Sequence, residues 1–159
     1  YSSSHTRGLE DFLVLNYIQE HIDTVTLADI SRHFGFSLSY CSKLIKNTTG
    51  MGFSEWKRAL RVRKGERLLV NTTDTINDIS LSLGYENTET FIRIFKKETG
   101  MSFVAWLTNV RMDEAVKLLS TTEDKTYEIS LKVGYTEPNY FSYVFKKHFG
   151  VTPTKFRAG

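Results

Sequence analysis

Two prolines and one cysteine are all that a chain of 159 residues holds of either. Pro138 and Pro153 both fall late, so nothing earlier forces a helix to break. A lone thiol, Cys41, excludes an internal disulfide and suits a reducing compartment. No apolar run approaches the ~18 residues that a membrane-spanning helix needs, so no membrane partner is expected. The net charge of +3 permits an acidic partner without demanding one. The four histidines, His5, His21, His33 and His148, have no Cys or His at ligand spacing, which sets a metal site aside. No phosphate-cradling loop, dinucleotide-binding glycine turn or nucleophile elbow occurs. Neither an enzyme nor a cofactor is therefore expected.

What is present favours helices. Apolar residues recur at intervals of three and four, and the reading is all-α. Leu9, Phe12, Leu13, Tyr17 and Ile18 make a first stripe, widened by Val14 and Leu15. Tyr1–Gly8 ahead of it reads as a polar lead-in or an artificial remnant, so the chain is expected to start inside a longer protein. Thr26 opens TLAD, a hydroxyl with an acid three residues on, which is a variant of the capping box. Leu27, Ile30 and Phe34 face inward, and Gly35 suits the positive φ of a helix stop. Ser37 caps the next helix, with Cys41, Leu44 and Ile45 on its apolar face and Gly50 at its end. A longer helix is expected over 54–70. The short-helix signal returns at Thr75, which opens TIND, with Ile76, Ile79 and Leu83 inward and Gly84 as the stop. Phe91, Ile94 and Phe95 line the helix after it, up to Gly100. A second long helix is expected at 104–119, then a third short pair at 125–133 and 138–149.

The same phrase is thus written three times. GYENTETFIRIFKKETGMSF at 84–103 returns as GYTEPNYFSYVFKKHFGVTP at 134–153, with GFSLSYCSKLIKNTTGMGF at 35–53 as a weaker copy. Trp56 maps to Trp106, Arg61 to Arg111, Gly84 to Gly134, Phe91 to Phe141, and Phe95-Lys96-Lys97 to Phe145-Lys146-Lys147. A fixed internal period signals a repeated supersecondary unit: short helix, glycine turn, second helix, long connector. That is the helix-turn-helix outline. Its DNA-binding form puts the second helix in the major groove, with outward residues near its start at base edges.

The outward faces decide what the unit offers. The first carries Leu38, Ser39, Tyr40, Ser42, Lys43 and Lys46. The second carries Asn87, Glu89, Thr90, Ile92, Arg93, Lys96 and Lys97. The third carries Glu137, Asn139, Tyr140, Ser142, Tyr143, Lys146 and Lys147. Short polar groups lead and lysines trail, an order that suits base contact in front and phosphate contact behind. A structural reading stands beside it. Lysines at a helix C-terminus complement the macrodipole, Ser and Asn at helix starts are caps, and Glu86, Glu89 and Glu137 oppose a polyanion unless they accept from cytosine. Trp56 and Trp106 read as core anchors, Arg61 and Arg111 as salt-bridging or packing residues, and Cys41 as core.

The run TLADIS…FGFSLSYCSKLIKNTTGMGFSEW, the segment RVRKGERLLVNTTDTINDISLSLGYENTETFIRIFKKETGMSF and above all GYTEPNYFSYVFKKHFGVTPTKFR resemble the DNA-binding domain of the AraC/XylS family of bacterial transcription regulators. The resemblance covers about residues 9–157. It implies homeodomain-like three-helical units: 9–53, a connector at 54–70, 71–103, a second connector at 104–119, and 120–159. It implies recognition helices over 37–46 and 89–97, with 137–147 as a third. The residues carried over as DNA-binding are Ser37, Ser39, Tyr40, Ser42, Lys43, Lys46, Glu89, Thr90, Arg93, Lys96, Lys97, Asn139, Tyr140, Ser142, Lys146 and Lys147. Double-stranded DNA is the implied partner, RNA polymerase a second one, and the bacterial cytoplasm the location. Effector or dimerisation elements would sit in a separate domain outside this chain. The family domain has two units where this chain has three, so the middle unit both ends one domain and begins another. The rival reading is a helical repeat scaffold that binds another protein, its basic helix ends incidental.

Overall fold

The computed structural model describes the backbone of residues 2–159 and the side chains of residues 6–159. Tyr1 and the His5 side chain lie outside the described residues. All regular structure in that range is helical: α1 (Ser2–Glu20), α2 (Leu27–Phe34), α3 (Leu38–Thr49), α4 (Phe53–Asn71), α5 (Ile76–Ser82), α6 (Thr88–Thr99), α7 (Phe103–Thr121), α8 (Thr126–Lys132), α9 (Pro138–Phe149) and α10 (Pro153–Ala158). The chain divides into two compact units, Tyr1–Met101 and Ser102–Gly159.

In the first unit α1, α2 and α3 pack together, and α4 joins them to α5 and α6. Val14, Ile18, Ile22, Val25, Ile30, Cys41, Leu44 and Ile45 form the core of the first three helices, with Trp56 and Leu60 of α4 laid against it. Burial pushes the Cys41 thiol above its ordinary range, as expected of a core cysteine. The stripe expected on α1 is out of phase with the one found. Leu9, Phe12 and Leu13 are exposed, while Val14 and Ile18 are fully buried. Four consecutive apolar residues at 12–15 fit more than one helical face, and the contacts from α2 and α3 select the one through Val14. Around α4 the core is Val62, Ile79, Leu83, Phe91 and Phe95. Gly65 is what admits Phe91: a Cβ there would stand 2.9 Å from the ring's Cζ.

In the second unit Met112, Ala115, Leu119, Ile129, Val133, Tyr135, Phe141 and Phe145 make the core, with Phe156 of α10 packed on it. Helix α10 had no counterpart among the expected elements. Its signal is Thr152-Pro153: the Thr152 hydroxyl accepts from Lys155 N and proline takes the first helical position, where no N–H is needed.

The three turns are built alike. Gly35, Gly84 and Gly134 have φ of 71°, 93° and 105°, a region that costs other residues ~1–2 kcal/mol. The amide after each glycine donates to the carbonyl five residues back: Phe36 to Ser31 at 3.2 Å, Tyr85 to Ser80 at 3.1 Å and Tyr135 to Ser130 at 2.9 Å. That 6→1 bond satisfies a terminal carbonyl and fixes where the next helix starts. The caps differ. Thr26 accepts from Asp29 N at 3.1 Å while its own N–H donates to Asp29 Oδ2 at 2.9 Å, and these bonds, with Arg32 alongside, hold the Asp29 carboxyl below its ordinary value. Thr75 makes only the hydroxyl half. Lys125 keeps only the reverse half, donating its N–H to Glu128 at 3.4 Å. Thr26→Ala is expected to cost about 1 kcal/mol in a urea melt, and Lys125→Ala much less.

Candidate nucleic-acid interface

Helices α3, α6 and α9 each bury one face and leave the other open. The buried face is Cys41, Leu44 and Ile45 on α3, Phe91 and Phe95 on α6, and Phe141 and Phe145 on α9. The residues between them are thereby turned outward. On α3 that exposes Ser39, Tyr40, Ser42, Lys43 and Lys46, with Ser37 just ahead; on α6, Glu89, Arg93, Lys96 and Lys97; on α9, Asn139, Tyr140, Lys146 and Lys147. Thr90 and Ser142 are half-buried.

Their polar atoms are not equally available. The Ser37 hydroxyl accepts from Tyr40 N at 3.1 Å as the cap of α3. Tyr40 Oη donates to Glu10 Oε2 of α1 at 3.1 Å. This bond, with partial burial and the negative charge of Glu10, raises the phenol above its ordinary pKa. The Tyr40 ring also stands edge-on to Phe36. Lys46 Nζ donates to the Gly50 carbonyl at 3.1 Å, closing the C-terminus of α3. On α6, Asn87 Oδ1 accepts from both Thr90 N, at 2.9 Å, and Thr90 Oγ1, at 2.8 Å. By contrast Lys43, Arg93, Lys96, Lys97, Lys146 and Lys147 make no hydrogen bond or ion pair with any described residue. Lys43 and Arg93 occupy matching places in the two units; the third has Tyr143 there, an exposed ring stacked on Tyr140 with centroids 6.4 Å apart. The Glu10–Tyr40 pair was not legible in the sequence, because thirty positions separate partners that only the packing of α1 on α3 brings together.

Arg61 fixes the frame that carries α3 and α6. Its Nε donates to Ile22 O at 3.0 Å and its Nη2 to Asp23 O at 2.9 Å, in the loop between α1 and α2. Its guanidinium also lies 5.1 Å from the centre of the Tyr85 ring, in the turn before α6. One side chain of the connector thus holds both helix-turn-helix segments of the first unit. Arg111 keeps the ring contact, at 5.2 Å from Tyr135. The salt-bridging alternative for Arg61 gives way to bonds with backbone carbonyls. Lys57 adds a tie to Val25 O at 2.6 Å. A hundred residues on, Arg157 repeats that tie on Asp124 O and adds Leu119 O at 3.1 Å. The equivalent residue in the middle copy is Leu107.

A family profile described as a helix-turn-helix domain matches the chain twice, over residues 30–102 and 89–159. The two matches share α6, so one helix closes the first and opens the second. Among solved structures, the C-terminal domain of AraT, a response regulator from Geobacillus stearothermophilus, is 33% identical, with a TM-score of 0.57 over 62% of this chain and 84% of that one. The C-terminal domain of the two-component response regulator yesN from Fusobacterium nucleatum is 35% identical, with a TM-score of 0.54 over 62% and 94%. The regulatory protein PocR of Salmonella typhimurium is 34% identical over 82 residues, 51% of this chain and 27% of PocR. The HTH-type transcriptional activator Btr of Bacillus subtilis is 34% identical over 80 residues, 50% of this chain and 15% of Btr. The chain therefore spans about a quarter or less of these curated relatives.

Proposed function

The chain belongs to the AraC-type helix-turn-helix family of transcription regulators, and from that premise we propose that it binds double-stranded DNA through α3 and α6, with α9 as a third reading helix, and so regulates transcription. The observation that carries the reading is the contrast within each exposed face. Capping and packing account for Ser37, Lys46 and Thr90, but they leave Lys43, Arg93, Lys96 and Lys97 with no partner of their own. Unpaired cations on a helix seated by a fixed turn suit phosphate oxygens and guanine edges. The relative named as an activator supports positive control, with RNA polymerase as the protein partner and the bacterial cytoplasm as the setting.

The test is a titration of duplex DNA at several salt concentrations. Log affinity is expected to fall linearly with log salt, with a slope of several units, about 0.9 for each phosphate neutralised. A flat response would remove the DNA reading and leave a helical scaffold for a protein partner. Nuclease protection counts the engaged units. A footprint of about 20 bp corresponds to two helices in successive major grooves, and one nearer 30 bp to three.

A further inference from the structure

The first unit holds a cavity of about 150 Å³ lined by Gln19 of α1, by Ile22 just past its end and by Leu60, Arg63, Lys64 and Arg67 of α4, with no residue of α3 or α6 in its lining. Three cationic side chains, one amide and two aliphatic side chains line it, and no carboxylate does. None of Arg63, Lys64 or Arg67 makes a hydrogen bond or ion pair with a described residue. An anion entering the space would meet three positive side chains with no competing carboxylate in the lining. The helix itself does not require them. Fifty residues on, the long helix α7 carries Asp113, Glu114 and Lys117 at the equivalent positions, and it folds with acids at two of the three places where α4 has bases.

The geometry points to an oxyanion site in this cavity, taking a phosphate group. The volume is below the roughly 300 Å³ of a pocket for a drug-sized ligand. It suits one phosphate, free or at the end of a larger molecule whose remainder lies outside. The two arginines offer planar forks that match phosphate oxygens, Lys64 a third positive charge, and Gln19 an amide donor. The site is independent of the DNA reading above, since it needs neither α3 nor α6.

Inorganic phosphate is the probe. Titrated into the full chain at constant ionic strength set with chloride, it is expected to shift the Gln19 and Arg side-chain NMR signals saturably. In R63Q/R67Q the apparent affinity is expected to fall at least 10-fold. A second variant, R63D/K64E, installs the pair that α7 carries naturally and is expected to fold and to lose the saturable shift altogether. A shift that is linear in phosphate, or that is the same in both variants as in the parent, would overturn the site. Adding duplex DNA separates two sources of the phosphate. If DNA displaces free phosphate, and R63Q/R67Q lowers the salt slope of DNA binding by about two, the natural occupant is the DNA backbone. If phosphate still binds the DNA complex, the occupant is a small phosphorylated solute. Either result supports the site.

Discussion

Gly84→Ala is expected to destabilise the first unit by about 3 kcal/mol or more, a far larger loss than the same change at either matching turn. Two costs add. The residue sits at φ +93°, worth ~1–2 kcal/mol against a side chain. A Cβ there would also overlap the Asp23 carbonyl oxygen and stand 2.7 Å from Arg61 Nη2. A backbone carbonyl cannot swing aside as a side chain can, and this one accepts from Arg61. Relief therefore means moving the loop between α1 and α2 off the second turn, which breaks the bond that Arg61 makes there. Gly134 has the same backbone need, but the nearest atoms to its added Cβ belong to the Arg111 side chain, at 3.1 Å; Gly134→Ala is expected to cost about 1–2 kcal/mol. Gly35 has nothing within 4 Å, so only the backbone strain of ~1 kcal/mol applies. Urea melts followed by tryptophan fluorescence would rank the three. A Trp106→Phe background leaves Trp56 as the reporter of the first unit, and the change is mild because the third copy carries Phe156 at that place. Equal midpoints for Gly84→Ala and Gly35→Ala would show that the α1–α2 loop is not seated on the second turn.

The close approach at Gly84 also shows where a sequence stops speaking. The turn itself was legible, because a glycine after a short amphipathic stretch, three times at nearly equal spacing, has one simple backbone reason. So were the buried faces of α3 and α6, whose apolar residues are few and sharply spaced. The phase of α1 was not, since the run at 12–15 satisfies several faces equally and only the partners choose among them. Arg61 was noticed for its place after Trp56, yet its partners are carbonyls, which carry no residue identity and leave no trace in sequence. The candidate site divides in the same way. That Lys43 and Arg93 face outward follows from helical spacing alone. That Tyr40 is tied to Glu10, and that Ser37 and Thr90 belong to caps, depends on contacts across or around helix starts. Hence the helices could be placed from sequence, while the atoms left over for a ligand had to be counted in three dimensions.

That count sets the second large expectation. The double variant Lys43→Ala/Arg93→Ala should bind its DNA about 100-fold more weakly, while its urea midpoint stays within the ~0.5 kcal/mol typical of a surface substitution. Both side chains are exposed and unpartnered, so the fold has nothing to lose with them. A good contact to a base edge discriminates by ~1–3 kcal/mol, and two at the lower part of that range make about 3 kcal/mol, or two decades of affinity. The two residues lie on different recognition helices of one compact unit, and Arg61 joins the α1–α2 loop to the turn before α6. Their losses should therefore appear in a single binding event, as reduced affinity for one site. Salt dependence then tells which atoms they touch. A slope reduced by about two means that both met phosphates; an unchanged slope with relaxed sequence preference means that both met bases. The matched control is Ser37→Ala/Asn87→Ala, which removes the capping side chains of the same two helices: it should lower the midpoint, since each lost cap costs ~0.5–2 kcal/mol, and leave affinity below the transition nearly intact. If the capping variant weakened DNA binding as much as the cationic one, the outward charges would not be what grips the duplex. The reading would then shift from the unpaired cations of α3 and α6 to the correct seating of the helices alone.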